Sequence, residues 1–254
     1  MRMKTCCLSI AGIFGLTLSG ASTKVPDART PVLLELFTSE GCSSCPPADR
    51  LLEFFDRNQP VDGATLIVLS EHVDYWDHLG WKDPYSSHQF SERQEQYGRR
   101  LHVESVYTPQ LVVNGRAQVV GSDAAEAKAA IRRSIGHARV PVTISAVTRK
   151  GQQITLHLEA GGLQAKAAAA TVYVAIADDE DVSQVSRGEN AGRALRHVAV
   201  VKSLRAVGET GKDGVFSQTM ILPAPSESGK LTRLVVFLQE KNSGQISGVA
   251  QELK

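Results

Sequence analysis

Residues 31–58 read PVLLELFTSEGCSSCPPADRLLEFFDRN, an apolar run, a pair of cysteines and an amphipathic segment in direct succession. Val32-Leu33-Leu34-Glu35-Leu36-Phe37 has the length of a buried strand and is interrupted by a single acid. From Ala48 to Arg57 the residues Leu51, Leu52, Phe54 and Phe55 take helix-like spacing, which Asn58, Gln59 and Pro60 stop. The expected order is therefore strand, cysteine turn, helix. Thr65-Leu66-Ile67-Val68-Leu69 follows an Asp62-Gly63 turn and is expected to pair with the first strand as a parallel neighbour.

Beyond this core, Pro84 to Leu101 is polar with Phe90 and Tyr97 about two turns apart, which predicts a mostly solvated helix. Leu111-Val112-Val113, a turn at Asn114-Gly115, and Ala117 to Val120 predict a hairpin. Asp123 to Ile135 sets Ala127, Ile131 and Ile135 on one face of a closing helix. After Arg139 the period changes to two. Val140 to Ile144, Ile154 to Leu158, Val172 to Ile176, Val198 to Leu204, Val215 to Leu222, Leu234 to Gln239 and Ile246 to Gln251 then predict an antiparallel β-sandwich of roughly 110 residues. The expected organisation is an α/β domain over 30–138 followed by a β-sandwich domain over 139–254.

The N-terminus reads as a signal peptide over 1–21. Arg2 and Lys4 precede an apolar run from Cys6 to Leu18, and Ser19, Gly20 and Ala21 supply a small-residue exit. The run is shorter than the about 20 apolar residues a membrane span needs, so no span is expected after processing. Cys6 and Cys7 leave with the signal. Processing lowers the basic count from 28 to 26 against 27 acidic residues, a balance that points away from nucleic acid. The expected location is periplasmic or secreted, where disulfides persist.

Cys42 and Cys45 are then the cysteines of the mature chain. A bridge between residues three apart closes a tiny loop and constrains little unfolded-chain entropy, so stabilisation is the weaker explanation of the pair. At a strand-to-helix junction, Cys42 is expected to stand exposed at the helix N-terminus as the attacking thiolate, with Cys45 behind it as the resolving thiol. Pro46 and Pro47, which lack amide hydrogens, and the nearby Glu40 limit how far that thiolate is favoured. A zinc site would need a second Cys-x-x-Cys or a His-x-x-x-His, which the sequence lacks.

Strand, Cys-x-x-Cys and helix, followed by Tyr107-Thr108-Pro109-Gln110-Leu111-Val112-Val113-Asn114-Gly115, resemble the thioredoxin superfamily. The resemblance implies a thioredoxin-like fold for 30–138, a cis Pro109 against the disulfide, and a Thr108 whose backbone offers hydrogen bonds to an extended substrate. More narrowly, residues 35–49, His72-Val73-Asp74-Tyr75-Trp76-Asp77, Glu189-Asn190-Ala191-Gly192-Arg193 and Val235, Phe237 and Gln239 resemble an exported bacterial family, domain of unknown function 1223. That resemblance implies no substrate or activity. The Ser-Ser dipeptide, the Gly41 before Cys42 and the two prolines after Cys45 depart from better-known thioredoxins.

Several further residues carry paired expectations. Glu35 sits near the place where some thioredoxins carry a buried acid that shuttles the resolving cysteine's proton, or else pairs locally. His72 and Asp74 follow the second strand on the edge that carries the cysteine loop. His72 would stabilise the Cys42 thiolate, or ligate copper(I) with Cys42 and Cys45, or simply bond to Asp74 or the backbone. The other histidines, from His78 to His197, show no ligand spacing. Tyr75 and Trp76 belong to an aromatic-rich stretch that would rim the site and receive an extended partner, or form a satellite core. Glu189 to Arg193 is expected in a long polar crossing between two sandwich strands, either functional or packed against the first domain.

The function expected from these residues is an exported thiol-disulfide oxidoreductase without a cofactor, acting on protein thiols or disulfides, with a membrane redox partner as a further candidate. Two rivals are a copper(I) metallochaperone-like module and a non-enzymatic binding or assembly protein with an inert disulfide.

Overall fold

The computed structural model describes residues 29–137, 140–161, 169–211, 213–224 and 230–253, together with Met1. The expected signal segment, with Cys6 and Cys7, and the junction residues 138–139 lie outside the described residues. Among the described residues, no helix is long and apolar enough to cross a membrane.

The first half runs β1 (Thr30–Thr38), α1 (Pro46–Asn58), β2 (Ala64–His72), α2 (His88–Arg100), β3 (Gln110–Val113), β4 (Ala117–Val120) and α3 (Ala124–Ser134). β1 lies between β2, to which it is parallel with Leu34 opposite Val68, and β3, to which it is antiparallel with Leu34 opposite Val113. Alternation along β1 sends Val32, Leu34 and Leu36 to one face, against Leu52 and Phe55 of α1 and Ala127 and Ile131 of α3. Leu33 and Phe37 go to the other, against Phe90 and Tyr97 of α2. Burial on both faces is why the run reads as continuously apolar.

The β3–β4 hairpin turns through Asn114 (φ 49°) and Gly115 (φ 60°), both in the left-handed region that a tight two-residue turn requires. The Asn114 carboxamide oxygen accepts from the Leu33 N–H at 2.8 Å, which ties the turn to β1. A Cβ on Gly115 would lie 2.3 Å from the Gly244 carbonyl oxygen, so the close approach of a later loop also demands glycine there.

The helix expected to be mostly solvated is instead half buried. α2 buries Phe90, Ser91, Arg93, Gln94, Tyr97 and Gly98. Its polar residues are admitted because they are paired: Arg93 Nε donates to Glu35 at 2.7 Å and Gln94 to the Tyr107 carbonyl at 2.7 Å.

Seven strands follow: β5 (Val142–Lys150), β6 (Gln153–Ala160), β7 (Ala170–Gln184), β8 (Ala194–Glu209), β9 (Phe216–Pro223), β10 (Thr232–Glu240) and β11 (Ile246–Leu253). β5, β6 and β9 form a three-stranded antiparallel layer, and the other four extend the first half's sheet in the order β11-β10-β7-β8-β2-β1-β3-β4. A core of Ile154, Leu156, Val172, Val174, Leu234 and Val236 fills the space between the layers.

One sheet runs through both sides of the 138/139 boundary expected from the sequence, joined where Ser70 of β2 faces Val200 of β8. The crossing expected to hold Glu189 to Arg193 does lie between two strands but is short, since β7 and β8 span 15 and 16 residues and leave only 185–193 between them. β7 carries the acids Asp178, Asp179, Glu180 and Asp181 past the apolar stretch Val172 to Ile176. In the strand they find cations, with Arg233 on Asp179 at 2.6 Å and Lys230 on Asp181 at 2.7 Å.

Candidate redox site at the cysteine turn

β1 ends at Thr38, and the chain turns so that the Cys42 N–H donates to the Ser39 carbonyl at 3.2 Å. Cys42 and Cys45 are disulfide-bonded with Cα atoms 5.4 Å apart. Cys45 caps α1, and the prolines that follow occupy the first helical positions, where an amide hydrogen would lack an intrahelical partner in any case. The Cys42 sulfur lies 3.3 Å from the Ser44 hydroxyl.

Across this turn stands the Thr108-Pro109 segment, whose peptide bond is cis. The Ser44 hydroxyl reaches the Thr108 carbonyl at 3.5 Å, and Trp76 Nε1 donates to the Thr108 hydroxyl at 2.8 Å. A Cβ on Gly121 would lie 2.7 Å from Leu36 and 3.1 Å from Pro109, so that glycine lets the chain after β4 close against the proline. Trp76 also backs the cysteine turn, its Cβ lying 3.0 Å from where a Cβ on Gly41 would be. Cys42, Cys45, Thr108, Pro109 and Trp76 are thus brought together. Tyr75 points its hydroxyl to Gln94 at 3.0 Å instead.

The expectation of an exposed Cys42 is corrected: Cys42 and Cys45 are each 0% exposed. The cover is the segment 185–193 from the far half of the chain. Glu189 accepts from the Ser43 N–H at 3.1 Å, and the Asn190 carboxamide donates to the carbonyls of Glu40 and Cys42, each at 2.9 Å. Asn190 is itself fully buried. Glu189 lies on the surface, and its bonds from Ser43 hold its carboxyl below the usual range. Packing of this crossing against the first half was one of the two expectations for it, though not that Glu189 and Asn190 would meet the cysteine turn.

Beneath the turn lies a buried polar cluster of Glu40, Asp49, His72, Asp83 and His197. Glu40 accepts from Trp81 Nε1 at 2.8 Å and from the Ser183 hydroxyl. Asp49 accepts from the Thr38 hydroxyl at 2.8 Å. His197 of β8 lies between these two acids, 3.3 Å from Glu40 and 3.8 Å from Asp49. Those separations, with neither ring nitrogen in a full hydrogen bond, describe an ion pair held by charge. Burial works against the imidazolium, but the two acids outweigh it and push the pKa up to about 10. Asp49 and His197 were not legible as site residues, although Asp49 stands four residues after Cys45.

His72 is fully buried, with Nδ1 on the Asp83 carboxylate at 2.7 Å and its ring edge-on to His197 at 4.7 Å. Burial raises the Asp83 pKa, and the charge and hydrogen bond of His72, with the Glu40 and Tyr85 N–H groups, more than reverse this, leaving it lowered. Of the partners foreseen for His72, the structure provides a carboxylate, though from Asp83 instead of Asp74. Among the described residues, no three His, Cys, Asp or Glu side chains gather as a metal-holding group.

Glu35 requires a correction. It shares the face of Leu33 and Phe37, opposite the one on which α1 packs, and its partners are Arg93 at 2.7 Å and the Tyr97 hydroxyl at 2.6 Å. Strand alternation turns it away from the helix that Cys45 caps.

The profile of a family described as "Protein of unknown function (DUF1223)" matches residues 33–239. No curated protein matches the chain. Among solved structures, the crystal structure of Protein AGR_C_4864 from Agrobacterium tumefaciens is 31% identical, with a TM-score of 0.65 over 88% of this chain and 94% of that one. HBP35 of Porphyromonas gingivalis is similar in fold at 16% identity, with a TM-score of 0.63 over 88% of this chain and 75% of that one.

Proposed function

Because the chain belongs to DUF1223, a family described without a function, we propose its chemistry from the site alone: Cys42 and Cys45 exchange disulfide and dithiol with protein thiols outside the cytoplasm. In this reading residues 30–138 are a thioredoxin-like unit. The observation that carries it is a bonded Cys-x-x-Cys at the head of a helix with the Thr108-Pro109 segment across it. The helix N-terminus favours a thiolate at the first cysteine.

In the reduced protein the Cys42 thiolate attacks a partner disulfide. A Cys42–partner bond forms, the partner's own bond breaks, and its leaving sulfur takes the electron pair and a proton. Cys45 then loses its proton and attacks the Cys42 sulfur. The Cys42–Cys45 bond closes and the second partner thiol departs, so the partner is reduced by two electrons and the pair is oxidised. The reverse sequence oxidises a dithiol. Thr108, beside Trp76, is the segment along which an extended partner would lie.

Substitution of the two cysteines separates their roles. Cys45→Ser should accumulate mixed disulfides with periplasmic proteins, whereas Cys42→Ser should form none, as read on non-reducing gels. Failure of both variants to trap a partner, together with a pair that stays oxidised against thiol buffers, would sink the exchange reading. The copper(I) reading is not carried, since among the described residues no three His, Cys, Asp or Glu side chains gather as a metal-holding group.

A further inference from the structure

Closing the disulfide obliges Cys45 to give up a proton, and Cys45 lies fully buried at the head of α1, where a neighbouring protein group is placed to take it. Cys45 has helical backbone angles (φ −78°, ψ −38°), and Asp49 follows it by one turn, its N–H donating to the Cys45 carbonyl at 3.1 Å. Side chains four apart share one face of a helix, with Cβ atoms about 5–6 Å apart.

The neighbouring acid, Glu40, is less available. Its two oxygens are taken by Trp81, Ser183 and His197. One Asp49 oxygen accepts from Thr38, while the other keeps only the 3.8 Å contact to His197 among the described residues. His197 is 1% exposed and comes from β8, more than a hundred residues along the chain. Around its ring stand Glu40, Asp49, the His72 ring with Asp83 behind it, the Tyr85 ring at 5.9 Å, and Asp181 opposite it on β7.

We propose that Asp49 accepts the proton that Cys45 releases, and that His197 is a positioning residue that holds the Asp49 carboxylate beneath the cysteine turn. The inference rests on the thiol-exchange reading above and deepens it. In the resolving step the Cys45 S–H bond breaks toward Asp49, and the Cys45 sulfur bonds to Cys42. The Cys42–partner bond gives its electron pair to the departing thiolate, which takes a proton from solvent. In the reverse direction Asp49 returns the proton to Cys45. The far half of the chain thereby takes part in the chemistry of the near half.

The test uses the full mature chain, reduced, with oxidised glutathione as probe, and follows the glutathione adduct on Cys42 by acid quench and mass spectrometry. Asp49→Asn should lengthen the adduct's lifetime by about a hundredfold, at the lower end of what general acid–base groups contribute. Its decay should also become dependent on hydroxide, rising about tenfold per pH unit, whereas the parent profile stays flatter. His197→Gln should lengthen the lifetime less. The double variant should be no slower than Asp49→Asn, because the histidine acts through the acid.

A folded Asp49→Asn protein whose adduct decays at the parent rate with the parent pH profile overturns the proposal, and additive losses in the double variant overturn the part assigned to His197. Should His197→Gln fail to fold, the Asp49→Asn profile still decides the acceptor. A parent protein that never forms or resolves the adduct fails the exchange reading itself, and this proposal with it. A parent that resolves it while the variants match it fails this proposal alone.

Discussion

Glu71 sits fully buried beside Glu35, and one guanidinium, Arg93, serves both: 2.7 Å from Glu35 and 3.6 Å from Glu71. Neither Glu71 oxygen has a hydrogen-bond partner. Burial first, and the Glu35 charge second, raise its pKa well above 4.5. The folded protein therefore holds a proton that the unfolded chain gives up above its ordinary pKa, so stability falls as pH rises from there through the raised folded value. Glu71→Gln carries no titrating proton, so it should remove that part of the slope and lose less stability than the parent between pH 5 and pH 9. His197, raised to about 10, adds a slope of the same sign, so urea unfolding of parent and variant at pH 5 and pH 9 reads Glu71 as the difference between them. Equal losses in the two would show that Glu71 is not protonated in the fold. The same pair marks what was legible at this level. An acid inside an apolar run announced that Glu35 was unusual, but its face depends on strand register and its partner lies 58 positions away. The cysteine turn between strand and helix was readable because that order is local, while the cis Thr108-Pro109 bond was foreseen only through the resemblance. Asp49, Asp83, Asn190 and His197 were not readable, because their roles lie in contacts between distant segments.

The β7–β8 hairpin is the element that changes the meaning of the site. Its strands were legible only at their apolar centres, since alternation fades where Asp178 to Asp181 take over, and the cations that allow those acids into a sheet come from β8 and β10 and from Lys230 just before β10. Carried to full length, the hairpin delivers its 185–193 tip onto the cysteine turn, where Asn190 bridges two carbonyls and the disulfide loses all exposure. For a protein partner to reach Cys42, this tip must lift. Asn190→Ala removes the two hydrogen bonds to the cysteine turn, together worth about 1–3 kcal/mol, along with the one Asn190 accepts from Arg193. It should therefore speed reduction of the disulfide by a protein dithiol about tenfold or more, with a smaller effect on a compact phosphine reductant. Equal rates for variant and parent with the protein reductant would mean that the tip does not gate access.

Across the whole molecule, the shared sheet makes the first half dependent on the second. Val198 and Ala199 of β8 belong to the core under α1, and Val201 and Leu204 of β8, Val235 and Phe237 of β10, and Ile246 and Val249 of β11 belong to the core under α2. Asn114, at the hairpin turn, accepts through its carbonyl from the Ile246 N–H at 2.9 Å. Burying each such aliphatic or aromatic side chain contributes about 1.5–3 kcal/mol. A domain's net stability is only about 5–15 kcal/mol, so losing three or four of them is enough to remove it. The edge of β2 that β8 covers would also be left open beside Ile67 and Leu69. A chain ending at residue 137 should therefore show no cooperative thermal transition and should be cut rapidly by protease. The full chain should unfold in one transition with coincident far-ultraviolet and tryptophan signals, although both tryptophans lie in its first half. A fragment that melts cooperatively on its own, or a full chain whose two signals separate, would mean that the halves are independent folding units and that the junction at Ser70 and Val200 contributes little.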